Sequence, residues 1–161
     1  MSKYVDRVTH TLDFSDELDG IPAEDRPKVL EEIGQYLVEQ ILENCGRGQT
    51  SVANGKWKRS LSPEYAKFKR GQSSSDFANM ELTGEMLNAL KFEIKRFQVE
   101  VGIFNQQEAQ KADNHNKFSS ASQKTKLPER QFIPRKGENF KRDIQREINQ
   151  IIQEAVDGST N

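Results

Sequence analysis

The sequence predicts an α+β domain, in which a long N-terminal helix and a C-terminal helix pack on a small, mostly antiparallel sheet beside a long protruding loop. Three observations predict it. Apolar side chains recur at helical spacing between Ala23 and Cys45. Between Phe92 and Ile103 the period becomes two. From Phe140 to Val156 it returns to the helical value.

Taken in order, Tyr4 to Phe14 alternates weakly, with Tyr4, Val8, Leu12 and Phe14 on one side, and suits an added strand. Asp13, Ser15, Asp16 and Gly20 then supply turn chemistry. The long helix carries Val29, Leu30, Ile33, Tyr36, Leu37, Ile41, Leu42 and Cys45 as its stripe. Pro22 or Asp25 marks its start, acidic residues fill its first turns, and Gly46 is placed for a left-handed cap. At 1.5 Å per residue it is roughly 35 Å long, enough to support a sheet.

Gly46 to Ser62 is loop-like and contains the single tryptophan, Trp57. Its ring needs apolar company, either on the long helix or, with Leu61 beside it, in a neighbouring subunit. Ser62-Pro63-Glu64 opens a short helix to about Arg70 with Tyr65 and Phe68 on one side. Thr83 is suited to cap a second short helix bearing Met86, Leu87 and Leu90. Two strands follow, with Phe92 and Ile94, then Val99, Val101 and Ile103, facing inward about a turn at Lys95 to Phe97.

Asn105 to Lys126 has one strong apolar residue, Phe118, and no period, so it is expected to be a flexible loop. Phe132 and Ile133, set between two prolines, suit a short edge strand. The closing helix, Glu138 to Val156, carries Phe140, Ile144, Ile148, Ile151 and Ile152, and residues 157 to 161 form a polar tail.

One domain of 161 residues, with a core over about 23 to 157, is expected. Its apolar fraction of 34% and charged fraction of 30%, with a mean hydropathy of -0.86, are lean for that size. Such a chain either finishes its core on neighbours or is a polar monomer with loose ends. No run of about 20 apolar residues exists, so no membrane partner is expected, and the start lacks the apolar centre of a signal peptide. The lone Cys45 lies on an apolar stripe and reads as a core residue in a reducing compartment. Net charge is -1, yet residues 1 to 45 hold four Lys or Arg against eleven Asp or Glu, whereas residues 46 to 71 hold seven against one. These blocks can pair within a subunit, pair between subunits, or leave the basic one for a polyanion.

Enzyme signatures are thin. His10 and His115 have no partners at zinc spacing, and no phosphate loop, nucleophile elbow or HExxH occurs. Glu31, Glu32, Glu39 and Glu43 read as the solvated face of the long helix. The chain is therefore read as a non-enzyme with no cofactor or metal. Nucleic-acid binding is the alternative, since Lys56, Lys58, Arg59, Lys67, Lys69 and Arg70 are interleaved with Trp57, Tyr65 and Phe68. Against it, the helix stripe accounts for Tyr65 and Phe68, and the acidic first third repels phosphate.

The order NGKW (54 to 57), SPEYAKFK (62 to 69), MELTGEMLNAL (80 to 90), FEIKRFQVEVGIF (92 to 104), ADNHNKF (112 to 118) and LPERQFIP (127 to 134) resembles the virion morphogenesis or tail-completion family of tailed bacteriophages. The resemblance covers roughly residues 25 to 156. Lys117 between Asn116 and Phe118, the absence of glycine after Phe118, and Gln131 before Phe132 depart from the family pattern. The resemblance implies a structural neck protein that joins head to tail as a homo-oligomeric ring. Its partners would be its own copies, tail terminator or tail-tube proteins and head connector proteins, with transient DNA contact secondary. It would reside in the virion neck after assembly in the host cytoplasm. Trp57, Leu61, Tyr65, His115, Phe118 and Phe132 are then the expected subunit or partner contacts.

Overall fold

The computed structural model describes residues 5 to 55, 84 to 124 and 129 to 159. The order is β1 (Val8–Asp13), 3-10 turns at Glu17–Gly20 and Ala23–Asp25, α1 (Arg26–Gly46), α2 (Gly84–Asn88), β2 (Leu90–Lys95), β3 (Gln98–Ile103), α3 (Gln106–Asn116), α4 (Ser120–Gln123) and α5 (Arg142–Ser159). The strands form one antiparallel sheet in the order β1-β3-β2. The fold is thus α+β, with long helices near either end of the chain and a small antiparallel sheet.

Register decides which strand residues share the core face, although Ile94, expected inward, stays 36% exposed near the end of β2. Val8, Ile103 and Leu90 lie side by side, as do His10, Val101 and Phe92, and Leu12, Val99 and Ile94. These nine share one face because side chains alternate along a strand. The other face carries exposed Lys91, Glu93 and Lys95, together with Glu100, which accepts hydrogen bonds from Thr9 Oγ1 at 2.6 Å and Arg7 Nη1 at 3.2 Å. Gly102 pairs with Thr9 where β3 runs against β1. Its φ is +147°, and a Cβ there would lie 2.1 Å from the Val8 carbonyl oxygen.

Helix α1 covers the apolar face with Val29, Leu30, Ile33, Leu37, Ile41 and Cys45. The Phe92 ring sits on Gly34, where a Cβ would come within 2.2 Å of it, so the missing side chain sets how near helix and sheet approach. From α5 come Ile144, Ile148, Ile151 and Ile152, completing the same core. Burial pushes the Cys45 thiol up to about 12, which leaves it protonated and inert at neutral pH.

Several expectations are corrected. Helix α1 begins at Arg26 with Pro27 in its first turn and no acidic residue there; Glu24 and Asp25 belong to the preceding 3-10 turn. Gly46 is the last helical residue, and the left-handed glycine is Gly48 at φ +70°. Leu42 leaves the stripe and is 39% exposed. Helix α5 starts at Arg142 rather than at Glu138, because Phe140 bridges to Val52 before the helix begins. The described part of the expected edge strand, residues 129 to 136, is irregular.

The largest correction falls on residues 105 to 126. In its described part, to residue 124, the expected protruding loop is instead α3 and α4, with Ala109, Ala112 and Asn116 fully buried at helical spacing. Asn105 caps α3, its Oδ1 accepting from Glu108 N at 3.2 Å. Trp57, Leu61, Tyr65, Phe68, the six basic residues from Lys56 to Arg70, the expected 63 to 70 helix, Thr83 and Tyr4 lie outside the described residues. Among the described residues no helix is long and apolar enough to cross a membrane.

Candidate functional site

Two segments that carry the resemblance, residues 112 to 118 and 129 to 134, are brought into contact at the end of α3. The helix stops because Lys117 turns left-handed at φ +57°, its N–H donating to the Asp113 carbonyl at 2.7 Å. Asp113 fixes the turn beyond. Its carboxylate accepts from Ser119 N at 2.8 Å, Ser119 Oγ at 2.6 Å and Ser122 Oγ at 3.1 Å. The Lys117 ammonium is folded inward and donates to the Ser122 carbonyl at 2.9 Å.

Asn116 is the clasp. Wholly buried, it accepts on Oδ1 from Phe132 N at 2.7 Å and Ile133 N at 2.8 Å, and donates from Nδ2 to the Ile133 carbonyl at 2.8 Å. Next to it, Arg130 N donates to the His115 carbonyl at 2.8 Å. On the opposite side, Thr50 Oγ1 donates to the Gln131 carbonyl at 2.5 Å and Ser51 Oγ to that of Phe132 at 2.7 Å. Buried backbone groups require partners, and here side chains supply them in place of a strand. That is why a segment with β-type composition forms no ladder.

Arg135 ties the outer side. Its guanidinium reaches Glu129 at 3.1 Å and Glu138 at 3.2 Å, and donates to the Lys117 carbonyl at 3.3 Å. Glu138 also accepts from Gln131 Nε2 at 2.6 Å and Arg135 N at 2.8 Å. Burial pushes this carboxyl up, but those hydrogen bonds together outweigh it and hold the group below its usual value.

Two cavities flank Arg135. One, of about 400 Å³, is walled by residues 53 to 55, Glu129, Gln131 and residues 137 to 139. The other, of about 560 Å³, opens beside β1 between Thr9, His10, Thr11, Phe118 and Lys136.

Of the expected contact residues, three are described, and the structure places them differently. Phe132 has no exposed surface and belongs to this chain's own core, so a role in meeting a neighbour is corrected. His115 is half-buried, with Nδ1 buried and lacking a hydrogen-bond partner. Burial and the nearby Arg130 and Lys117 charges push its pKa down to about 4, so it is neutral at physiological pH. Phe118 is half-buried against the core and lines the larger cavity. His10 stands on the core face of β1, its ring 5.6 Å from Phe140 in edge-to-face geometry. Burial lowers its pKa against the Pro134 hydrogen bond and the Glu138 charge, which raise it. Arg47, the one described member of the basic block, pairs with Glu43 one turn back.

Among the described residues no three His, Cys, Asp or Glu side chains converge as metal ligands. The polar groups of this region are turned onto the backbone of its own chain. Lys136 is exposed, and half-buried Phe118 stands with it beside β1. Sequence reading missed Asp113, Asn116, Arg135 and Glu138; the Asn105-x-x-Glu108 spacing and the Ala109, Ala112, Asn116 stripe were the available signals for the helix that places the first two. No family model matches the sequence, and neither a curated protein nor a solved structure matches it.

Proposed function

We propose that this chain is a structural virion protein of a tailed phage, a tail-completion or head-tail joining subunit that assembles as a ring at the neck. The observation that supports it best is the Asn116 clasp. Two of the motifs behind the resemblance, separate in sequence, are joined by three hydrogen bonds from one buried amide. Their fixed order thereby acquires a physical reason. Lean composition fits a subunit that completes its burial on neighbours. A head-to-tail contact closes into a ring when the rotation between copies closes, and the neighbours would be tail terminator or tail-tube proteins on one side and connector proteins on the other.

The test uses particles and purified protein together. Removing the protein from an assembling phage should yield separate heads and tails, and gold-labelled protein should sit at the head-proximal tip of isolated tails. Normal particle yield without it, or label spread along the tail, would sink the reading.

A further inference from the structure

Among the described residues, strand β1 is an outer strand of the sheet. Phe14 N donates to the Phe97 carbonyl at 2.8 Å in the same register that pairs Val8 with Ile103. Antiparallel pairs alternate between bonded and unbonded, so the main-chain groups of Val8, His10 and Leu12 face β3. Those of Thr9 and Thr11 point away from the sheet. On that side lies the cavity of about 560 Å³, and a further strand would sit about 4.8 Å from β1.

The two outer strands are protected differently. Along β2, Lys91, Glu93 and Lys95 are exposed, the charged dressing that discourages edge pairing. Strand β1 has only Asp13, at its last residue, and neither lysine nor proline. Among the described residues the wall facing it carries Lys136 and Arg135, the latter already met by Glu129 and Glu138 from its other side, so Lys136 is the charge this wall offers. Lys136 is exposed and enters no ion pair among the described residues. Phe118 supplies an apolar patch in the same wall.

From this geometry we propose that the outer side of β1 is a docking edge for an extended acidic peptide segment of a partner protein, which adds as a fourth strand at Thr9 and Thr11 with its carboxylates toward Lys136. Main-chain hydrogen bonds hold such a segment, and Phe118 and the Lys136 ammonium select it. The inference does not rest on the virion reading.

An end-capped, fluorescently labelled hexapeptide of alternating valine and glutamate, titrated into the full chain at low salt, tests it. Binding should shift and protect the Thr9 and Thr11 amides in NMR and hydrogen exchange. Methylating the peptide's strand-facing nitrogens, or making Lys136→Glu, should each weaken it roughly tenfold, the scale of one or two lost charge-assisted or main-chain hydrogen bonds. Replacing glutamate by lysine in the peptide should abolish binding. Thr11→Pro removes one outward N–H; if that variant does not fold, the methylated peptide carries the same test. Equal affinity for the methylated peptide, shifts confined to β2, self-association through this edge in place of peptide binding, or no binding below about 1 mM would each overturn the proposal.

Discussion

Between α1 and β3 the chain is held by side chains that have nothing to donate or accept, whereas between α3 and residues 129 to 141 it is held by amides, hydroxyls and charges seated on backbone groups. The first region contributes Ile33, Leu37, Ile41, Val99 and Val101, all without exposed surface. The second contributes Asn116 and Glu138, with Thr50 and Ser51 reaching in from beyond α1. Apolar burial is non-directional and tolerates exchange of similar volumes. A buried hydrogen-bond network fixes one geometry, and losing one member strands the others. The polar region therefore specifies where Phe118 and Lys136 stand, and the apolar region supplies most of the stability that lets it do so.

The strongest way to break this contrast is Gly102→Val, which drives a side chain into the Val8 carbonyl at the heart of the sheet. It should cost more than about 4 kcal/mol, read as loss of cooperative unfolding in urea. Next, Ile144→Ala and Asn116→Leu should each cost about 2–5 kcal/mol, but in different ways. The first lowers protection across the whole core in native-state hydrogen exchange. The second frees the Phe132 and Ile133 amides while the amides of α1 and β3 stay protected. Equal loss of protection everywhere for both variants would remove the distinction between the regions.

A smaller effect belongs to His115. Its pKa falls from 6.5 to about 4 on folding, so between those values the unfolded chain binds more protons than the folded one. Stability from this group is complete above about pH 6.5 and is lost as the pH falls toward 4. His115→Gln should flatten the urea midpoint over that window and leave it unchanged at pH 7.5. An unaltered slope would show that another group carries the acid sensitivity.

How much of this was legible follows from the same contrast. Periodicity reports apolar faces, so α1, α5 and the β2–β3 hairpin were readable from their spacing, with errors of three to four residues at the helix starts. Segment 105 to 126 was not read as helical because its inward face is built from Ala109, Ala112 and Asn116, residues too small or too polar to stand out in a hydropathy pattern. Phe132 and Ile133 looked like strand residues, and their backbone does run through the core, yet its partners are side chains over eighty positions upstream and sixteen or seventeen upstream.

By itself the sequence determined the α+β class, the two amphipathic rods and the register-competent strands, since each depends on interactions between residues a few positions apart. Only the tertiary structure decided that β1 lies against β3, that α3 exists and packs inward, and that Asn116 closes on the Phe132–Ile133 backbone. Those depend on pairings between distant residues, where an asparagine or serine in one segment is chosen by the unpaired peptide groups of another, and no local pattern records that choice.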